Sequence, residues 1–140
     1  MQNVKLYELS YSYPKYTVES HIVYSSFFLG VFSTFDKVEK AIGYYSSVSG
    51  FSKDPDRFFI RPFCVDNAAN VVYQVGISYI AQNENDDIEE ILAYCKDENE
   101  AKTAARLSQF YDEFKDYFVI EPVKIDKMEW VEGFTSEMIR

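Results

Sequence analysis

The amino-acid sequence predicts an α+β protein in which two tandem β-β-α-β units form one compact domain with pseudo-twofold symmetry. Similar segments recur about 65 residues apart, a spacing typical of a duplicated supersecondary block. Apolar residues alternate in some segments, as in strands, and recur at helical spacing in others. A half-chain of that size is too small to bury a full core. We therefore expect repeats 1–67 and 68–134 to share a single domain over 1–140, with helices packed on a mainly antiparallel sheet.

The first strand of each unit is predicted from alternating side chains. Residues 6–13 read LYELSYSY, and residues 72–79 read VYQVGISY. In the first segment Leu or Tyr stands at every second position, with Glu or Ser between them. This period of two is typical of a strand with one buried face.

The second strand of the first unit is predicted from a nearly continuous apolar run, and that of the second unit from its place in the repeat. Residues 24–32 contain mainly aromatic and aliphatic side chains, and residues 88–95 are their counterpart. A run without alternation favours a central strand covered on both faces.

The first helix is predicted to follow a cap at Ser33 or Thr34. Its apolar residues recur at i, i+3, i+4 and i+7, which gives one buried stripe. Gly50 is the predicted end of the helix. The members of the stripe are Val38, Ala41, Ile42 and Tyr45.

The second helix is predicted from Asp97 and Glu100, which have the spacing of a capping box. Residues 92–105 align with residues 29–42, so this helix occupies the same place in its unit. Its apolar stripe is longer, which predicts the longer helix. The stripe contains Ala101, Ala104, Leu107, Tyr111 and Phe114.

The third strand of each unit is predicted over residues 58–66 and 117–126. Both segments are rich in aromatic and β-branched residues. Pro62 and Pro122 cannot donate to a sheet ladder, so each strand is predicted at an edge or a bulge.

The composition argues against nucleic acid as a ligand. The chain carries 23 acidic and 14 basic residues, a formal net charge of −9. A negative surface repels phosphates and attracts basic proteins. The charge therefore favours either solubility alone or a basic protein partner, and a basic protein is the partner we expect.

The chain start and the apolar segments favour a cytoplasmic location. Residues 1–10 read as a strand containing Lys5 and Glu8, not as a basic start followed by an apolar centre, so no signal peptide is predicted. The longest apolar run, residues 22–32, is too short to span a bilayer. No membrane partner is expected.

The two cysteines are predicted to be reduced and buried. Cys64 and Cys95 lie in apolar strand segments, and neither belongs to a paired motif. Such cysteines behave as small apolar residues.

The sequence contains no recognisable catalytic constellation. His21 is the only histidine, in a predicted hairpin loop, where a solvated side chain is the usual outcome. There is no Cys-x-x-Cys, no His pair, no calcium loop, no phosphate-binding glycine loop and no G-x-S-x-G turn. We predict no catalytic residue, no metal and no cofactor, and hence a protein that is not an enzyme.

The negative charge is concentrated between residues 84 and 100. Eight acids and Lys96 give this segment a net charge of −7. One interpretation is a solvated loop followed by acids at a helix N-terminus. The other is that the hairpin and the helix start form one negative face that binds a cationic partner, with a tyrosine as anchor. The predicted partner-binding residues are Glu84, Asp86, Asp87, Glu89, Glu90, Asp97, Glu98 and Tyr79.

Part of the chain resembles a family of small bacterial α+β domains. Residues 50–60 read GFSKDPDRFFI after LGVFST at 29–34, and residues 130–134 read WVEGF. The family pattern is approximately I-G-x-Y-S-S, a helix, P-G-F-x-x-x-P-x-x-F-x-I and W-x-E-G-F. Here WVEGF follows only the second unit, which lacks the Gly-Phe and Pro-x-x-Phe portion. The resemblance implies an immunity protein of the kind found beside bacterial toxins, and it implies no catalytic residue.

These observations lead to a main functional hypothesis and two alternatives. The main one is a cytoplasmic immunity protein that neutralises a basic toxin domain, possibly a nuclease, through its acidic surface. The first alternative is a structural or regulatory module that self-associates through a strand edge, and the expected state is a monomer or a weak homodimer. The second is an enzyme with a cleft between the halves, lined by tyrosines and carboxylates.

Overall fold

The computed structural model describes residues 3–18, 21–48, 51, 55–80 and 87–129. It confirms the α+β class and the β-β-α-β order, which occurs twice, with one additional short helix. Single 3-10 turns precede β3 and β6, at Pro55–Arg57 and Lys115–Tyr117. The elements are β1 (Asn3–Val18), β2 (His21–Phe32), α1 (Phe35–Tyr45), β3 (Phe58–Asp66), β4 (Val71–Ile80), β5 (Asp87–Cys95), α2 (Glu98–Leu107), α3 (Tyr111–Phe114) and β6 (Phe118–Lys124).

The described strands form two three-stranded sheets. Their orders are β2-β1-β3 and β5-β4-β6. β1 is antiparallel to β2, and β4 is antiparallel to both β5 and β6. Pro62 in β3 and Pro122 in β6 therefore lie in edge strands, as predicted.

The apolar strand β2 lies at a sheet edge, so its predicted central position is wrong. The central strand is β1, because β1 pairs with β2 on one side and β3 on the other. A short C-terminal segment contacts the outer edge of β2, where Val31 forms a parallel bridge with Ile125. This neighbour from far along the chain helps to explain an apolar run in an edge strand.

The two hairpins contain the same irregularity at matching positions. Leu9 pairs with Gly30 and Ser10 with Phe28, so Leu29 is the extra residue of a bulge. In the other hairpin Val75 pairs with Ala93 and Gly76 with Ile91, which makes Leu92 the extra residue. Leu29 and Leu92 are also equivalent in the sequence alignment of the halves.

Both long helices begin at the predicted caps. The Thr34 hydroxyl accepts a hydrogen bond from the Lys37 backbone N–H, and the Asp97 carboxylate accepts one from the Glu100 N–H. α1 ends at Tyr45, before the predicted end at Gly50, which lies outside the described residues.

The second helix is not the longer one, because it stops at Leu107. Ser108 adopts an extended backbone with ψ of 140°, and the chain resumes as α3 only at Tyr111. Leu107 is 80% exposed, so its predicted place in a buried stripe is wrong. Ala101 is fully buried, as predicted.

The chain divides into two compact units whose borders differ from those of the sequence repeats. One unit contains Lys5–Phe63 and Ile125–Arg140, and we call it the aromatic unit. The other contains Met1–Val4 and Cys64–Lys124, and we call it the acidic unit. Each unit thus includes a segment from the other half of the sequence. The single domain and the pseudo-twofold arrangement remain predictions.

The core of the aromatic unit is built from large side chains. Tyr11, Tyr45 and Phe51 are almost completely buried. The Phe51 ring centroid lies 4.9 Å from that of Tyr11 and 5.1 Å from that of Tyr45, within the range of favourable aromatic pairs. Leu9, Leu29, Phe32, Val38 and Ala41 complete the buried cluster.

The core of the acidic unit, within the described residues, is built from small side chains. Its buried cluster contains Val75, Cys95, Ala101 and Ala105. Partly buried Phe118 and Ile120 pack against this cluster from β6. The sheet and helix of this unit therefore enclose far less side-chain volume than those of the aromatic unit.

The C-terminal segment is hydrogen-bonded to the aromatic unit. The Asp126 N–H donates to the Val31 carbonyl at 2.7 Å, and the Glu129 N–H donates to the Leu29 carbonyl at 2.9 Å. Met128 packs against the aromatic core. The segment thus occupies part of the β2 edge.

Candidate functional site

The acidic unit carries almost all of the net charge of the protein. Its residues include 13 acids and 5 bases, a formal net charge of −8. The aromatic unit includes 10 acids and 9 bases, a net charge of −1. The charge asymmetry seen between the sequence halves is therefore also an asymmetry between structural units.

The structure places the predicted partner-binding residues in or near β4, β5 and α2. Glu90, Asp97 and Glu98 have exposed side chains. Tyr79, Asp87 and Glu89 belong to strands, and only their backbone is described. The remaining two, Glu84 and Asp86, lie outside the described residues.

Within the described residues, these acids lie towards the two ends of β5. Asp87 and Glu90 lie in the first half of β5, whereas Asp97 caps α2 just beyond its other end. At about 3.3 Å per residue, the seven residues from Glu90 to Asp97 span about 23 Å. The described acids therefore fall into two groups along the chain, and whether they form one negative face that binds a partner remains a prediction.

The acids at the start of α2 face solvent and are only loosely paired. Lys96 Nζ lies 3.8 Å from a Glu100 carboxylate oxygen, and Lys102 Nζ lies 3.5 Å from one of Glu98. Exposed pairs of this kind contribute little to stability. Burial, followed by the negative charges of Glu100 and Asp97, raises the pKa of the neighbouring Cys95 thiol.

A third group of acids follows α2, and the sequence reasoning missed it. Asp112, Glu113 and Asp116 are exposed in α3 and in the turn after it. They come just after the exposed apolar side chains Leu107 and Phe110. This group was missed because residues 97–114 were predicted as one helix with Leu107 in its buried stripe. Ser108, at which α2 ends, is the residue that could have indicated the end of the helix.

An open cleft lies beside this group, between the sheet and the end of α2. Its volume is about 280 Å³. Most of its lining is apolar, with two polar side chains at the end of the helix. The lining residues are Val75, Leu92, Ala93, Ala104, Ser108, Gln109 and Phe110.

The cleft corresponds to a filled region of the aromatic unit. Tyr45 and Ser108 each lie eleven residues after their helix caps, Thr34 and Asp97. Tyr45 is fully buried in its core, whereas Ser108 lines the cleft. A serine in place of a tyrosine leaves apolar walls without the ring that covers them in the other unit.

The structure also places the remaining candidates, the histidine and the two cysteines. His21 lies at the first position of β2, paired with Val18, rather than in a loop. Cys64 is exposed, so its predicted burial is wrong, because Val65 takes the inward position of β3. Among the described residues, no group of three His, Cys, Asp or Glu side chains is arranged to hold a metal ion.

No helix within the described ranges is long and apolar enough to cross a bilayer. Residues 130–134, which carry the closing motif of the family resemblance, lie outside the described part of the chain. Comparison with protein-family models, with curated proteins and with solved structures gave no match.

Proposed function

We propose that this protein is a non-catalytic immunity protein of the cytoplasm that binds and neutralises a basic toxin domain through its acidic unit. The observation that carries the proposal is the division of charge between the units, −8 against −1. The acidic unit attracts a basic partner, whereas the nearly neutral aromatic unit adds little electrostatic attraction.

Exposed apolar groups beside the acids support a protein partner rather than a small cation. Leu107, Phe110 and Tyr117 are exposed within the same unit. Protein interfaces combine apolar or aromatic anchors with a polar rim, and complementary charge speeds the encounter. The acids Asp112, Glu113 and Asp116 provide such a rim in sequence and in space.

The experiment is a binding measurement between the full-length protein and the toxin domain encoded next to it. We expect a stoichiometric complex by calorimetry and gel filtration, with an association rate that falls as salt is raised. The absence of a complex at moderate salt would refute the proposal.

A matched pair of charge reversals tests which unit binds. Glu98→Lys with Glu113→Lys changes two exposed helix positions of the acidic unit. The control, Asp36→Lys with Glu39→Lys, makes the same change in charge on exposed positions of α1. We expect an affinity loss of about tenfold or more for the first pair and less than about twofold for the control. Equal losses would show that net charge alone matters and not the acidic unit.

A second candidate function is self-association through a strand edge. The specific observation in its favour is that β2 is an edge strand of 12 residues without Asp, Glu, Lys or Arg. Against it, the C-terminal segment already bonds to Leu29 and Val31 on this strand. Light scattering over a range of concentrations distinguishes the two, because a constant monomer mass excludes self-association.

A further inference from the structure

We propose that the cleft of the acidic unit is an anchor pocket for one aromatic side chain, presented by a lysine- or arginine-rich segment of the protein partner. This inference rests on the proposed function and specifies where and how the partner docks. It assigns a role to Ser108 and Phe110, which no sequence pattern had singled out, and to Ala104, which the sequence placed only in an apolar stripe.

The size and lining of the cleft fit one ring. An engineered apolar cavity of about 150 Å³ is enough to bind benzene. The cleft measures about 280 Å³ and is open on one side, so a ring can enter together with its connecting carbon. Val75, Leu92 and Ala104 supply apolar walls, and Phe110 supplies an aromatic one.

The aromatic unit indicates the chemistry of the missing group. There the residue at the equivalent sequence position is Tyr45, the last residue of α1, whose ring packs against Phe51 and is completely buried. The equivalent bulge residue, Leu29, is also fully buried, whereas its counterpart Leu92 lines the cleft. The same sheet and helix framework thus holds an aromatic ring in one unit and lacks it in the other.

The surrounding charges favour a basic segment as the carrier of that ring. Glu90 lies next to Ile91 and Leu92 on β5, and Asp112 and Glu113 follow Phe110 closely. Two bases of this unit have acceptors of their own, since Lys102 pairs with Glu98 and the Arg106 guanidinium donates to the Thr103 hydroxyl. Lys115 lies between Glu113 and Asp116 in the chain and offsets one of the three negative charges of that group. Lysines or arginines flanking the ring would therefore meet acids on both sides of the cleft.

Exposed Leu107 extends the apolar surface beyond the cleft. At 80% exposure it contributes almost nothing to the core, and it directly precedes Ser108, which lines the cleft. Apolar residues around a central anchor typically exclude water from it when a partner binds. The patch consists of the cleft and Leu107.

The test is an NMR titration of the isotope-labelled full chain with two blocked peptides, Lys-Lys-Trp-Lys-Lys and Lys-Lys-Ala-Lys-Lys. We expect the Trp peptide to shift the amide signals of Ala93, Ala104 and Ser108 in a saturable manner. The Ala peptide should bind at least tenfold more weakly. Equal shifts with both peptides, or no shift at these amides, would overturn the inference.

Two substitutions make the test specific to the cleft. Ser108→Tyr places in the cleft an aromatic ring like that of Tyr45 in the aromatic unit. It should weaken Trp-peptide binding at least tenfold. Gly43→Tyr adds the same side chain on the exposed face of α1, where no atom lies within 4 Å of the new Cβ, and should leave binding within about twofold. Phe110→Ala removes a wall of the cleft instead of filling it, and should also weaken Trp-peptide binding. It provides the test if the Ser108→Tyr protein does not fold.

The outcomes separate this inference from the proposed function. If the wild-type protein and Ser108→Tyr bind the toxin domain equally well, the pocket is refuted and the function stands. If the Trp peptide binds at the cleft but the toxin domain forms no complex, the function is refuted and the pocket stands. Cleft signals that change with protein concentration, or on deletion of residues 130–140, would overturn the inference by showing that a second copy or the chain's own tail fills the cleft.

Discussion

Lys37 and Asp126 lie 89 positions apart in the chain, and the Lys37 ammonium donates a hydrogen bond to the Asp126 carboxylate at 2.8 Å. The same carboxylate accepts hydrogen bonds from the Ser33 backbone N–H at 2.7 Å and from the Ser33 hydroxyl at 2.8 Å. Asp126 has a φ of 69°, a left-handed conformation that Asp and Asn tolerate better than most residues. These contacts fasten the C-terminal segment to the start of α1.

The first prediction concerns the pH dependence of this contact. Burial tends to raise the pKa of Asp126, but the hydrogen bonds from Lys37 and Ser33 outweigh it and hold the pKa below its ordinary value. A carboxyl with a lowered pKa in the fold stabilises the protein above the pKa of the unfolded chain, and this stabilisation is lost as the pH falls through the folded value. Asp126→Asn should therefore cost about 1 kcal/mol at pH 7, since the site is partly open to solvent.

Urea unfolding at several pH values measures this effect. The difference between wild type and Asp126→Asn should shrink as the pH drops below about 4, because the carboxyl of the unfolded chain is protonated there first. It should vanish at a lower pH, once the folded Asp126 is protonated as well. A difference that is independent of pH between 7 and 2 would contradict the assigned role of the carboxylate charge.

The second prediction concerns two glycines of the aromatic unit. Gly30 has a φ of 146°, and a Cβ there would lie 2.7 Å from the Lys127 carbonyl oxygen of the C-terminal segment. Gly30→Ala should destabilise the protein by about 1–3 kcal/mol, because both the backbone and its neighbour must shift.

Gly43 provides the matched control on α1. Its position is open to solvent, so Gly43→Ala should stabilise the protein by about 0.5–1 kcal/mol through helix propensity. Chemical denaturation of both variants measures the change in the free energy of unfolding, which should be negative for Gly30→Ala and positive for Gly43→Ala. A neutral Gly30→Ala would show that the C-terminal segment is not held against β2 in solution.

The third prediction concerns the reactivity of the two thiols. Cys64 is exposed and Cys95 is buried. The raised pKa of Cys95, due first to its burial and then to Glu100 and Asp97, keeps this thiol protonated at pH 8. A thiol reagent should therefore modify one cysteine rapidly in the native protein and both in denaturant, as counted by mass spectrometry. Rapid modification of both in the native state would contradict the packing of the acidic unit.

The fourth prediction contrasts two phenylalanines. Phe51 is fully buried among the rings of Tyr11, Tyr45 and Phe58. Phe51→Ala should cost about 3–5 kcal/mol of stability. Phe110 is 37% exposed at the rim of the cleft, so Phe110→Ala should cost less than about 1.5 kcal/mol while weakening partner binding. Thermal unfolding and calorimetry measure the two quantities separately.

The sequence was sufficient to predict the elements that depend on local chemistry. Alternation identified β1 and β4, because period two is a property of the strand itself. Thr34 and Asp97 were predicted as caps, because a cap is a contact between residues three apart. The edge positions of Pro62 and Pro122 followed from the missing N–H of proline.

The features that the sequence did not reveal depend on contacts between distant residues. The apolar run in β2 indicates burial but not which strand lies alongside, so its pairing with the C-terminal segment was missed. Leu107 has the spacing of a core residue, yet the helix ends with it and leaves it exposed. The acids of residues 84–100 are close in sequence, but an extended strand between them holds the two groups apart.

The exchange of segments between the two units sets an order for folding on the ribosome. Residues 5–63 are synthesised before the main part of the acidic unit, residues 64–124, whereas Asp126 and Met128 are synthesised after it. Until then Ser33 and Lys37 at the start of α1 lack the carboxylate to which they donate. The half that is synthesised first is therefore finished last.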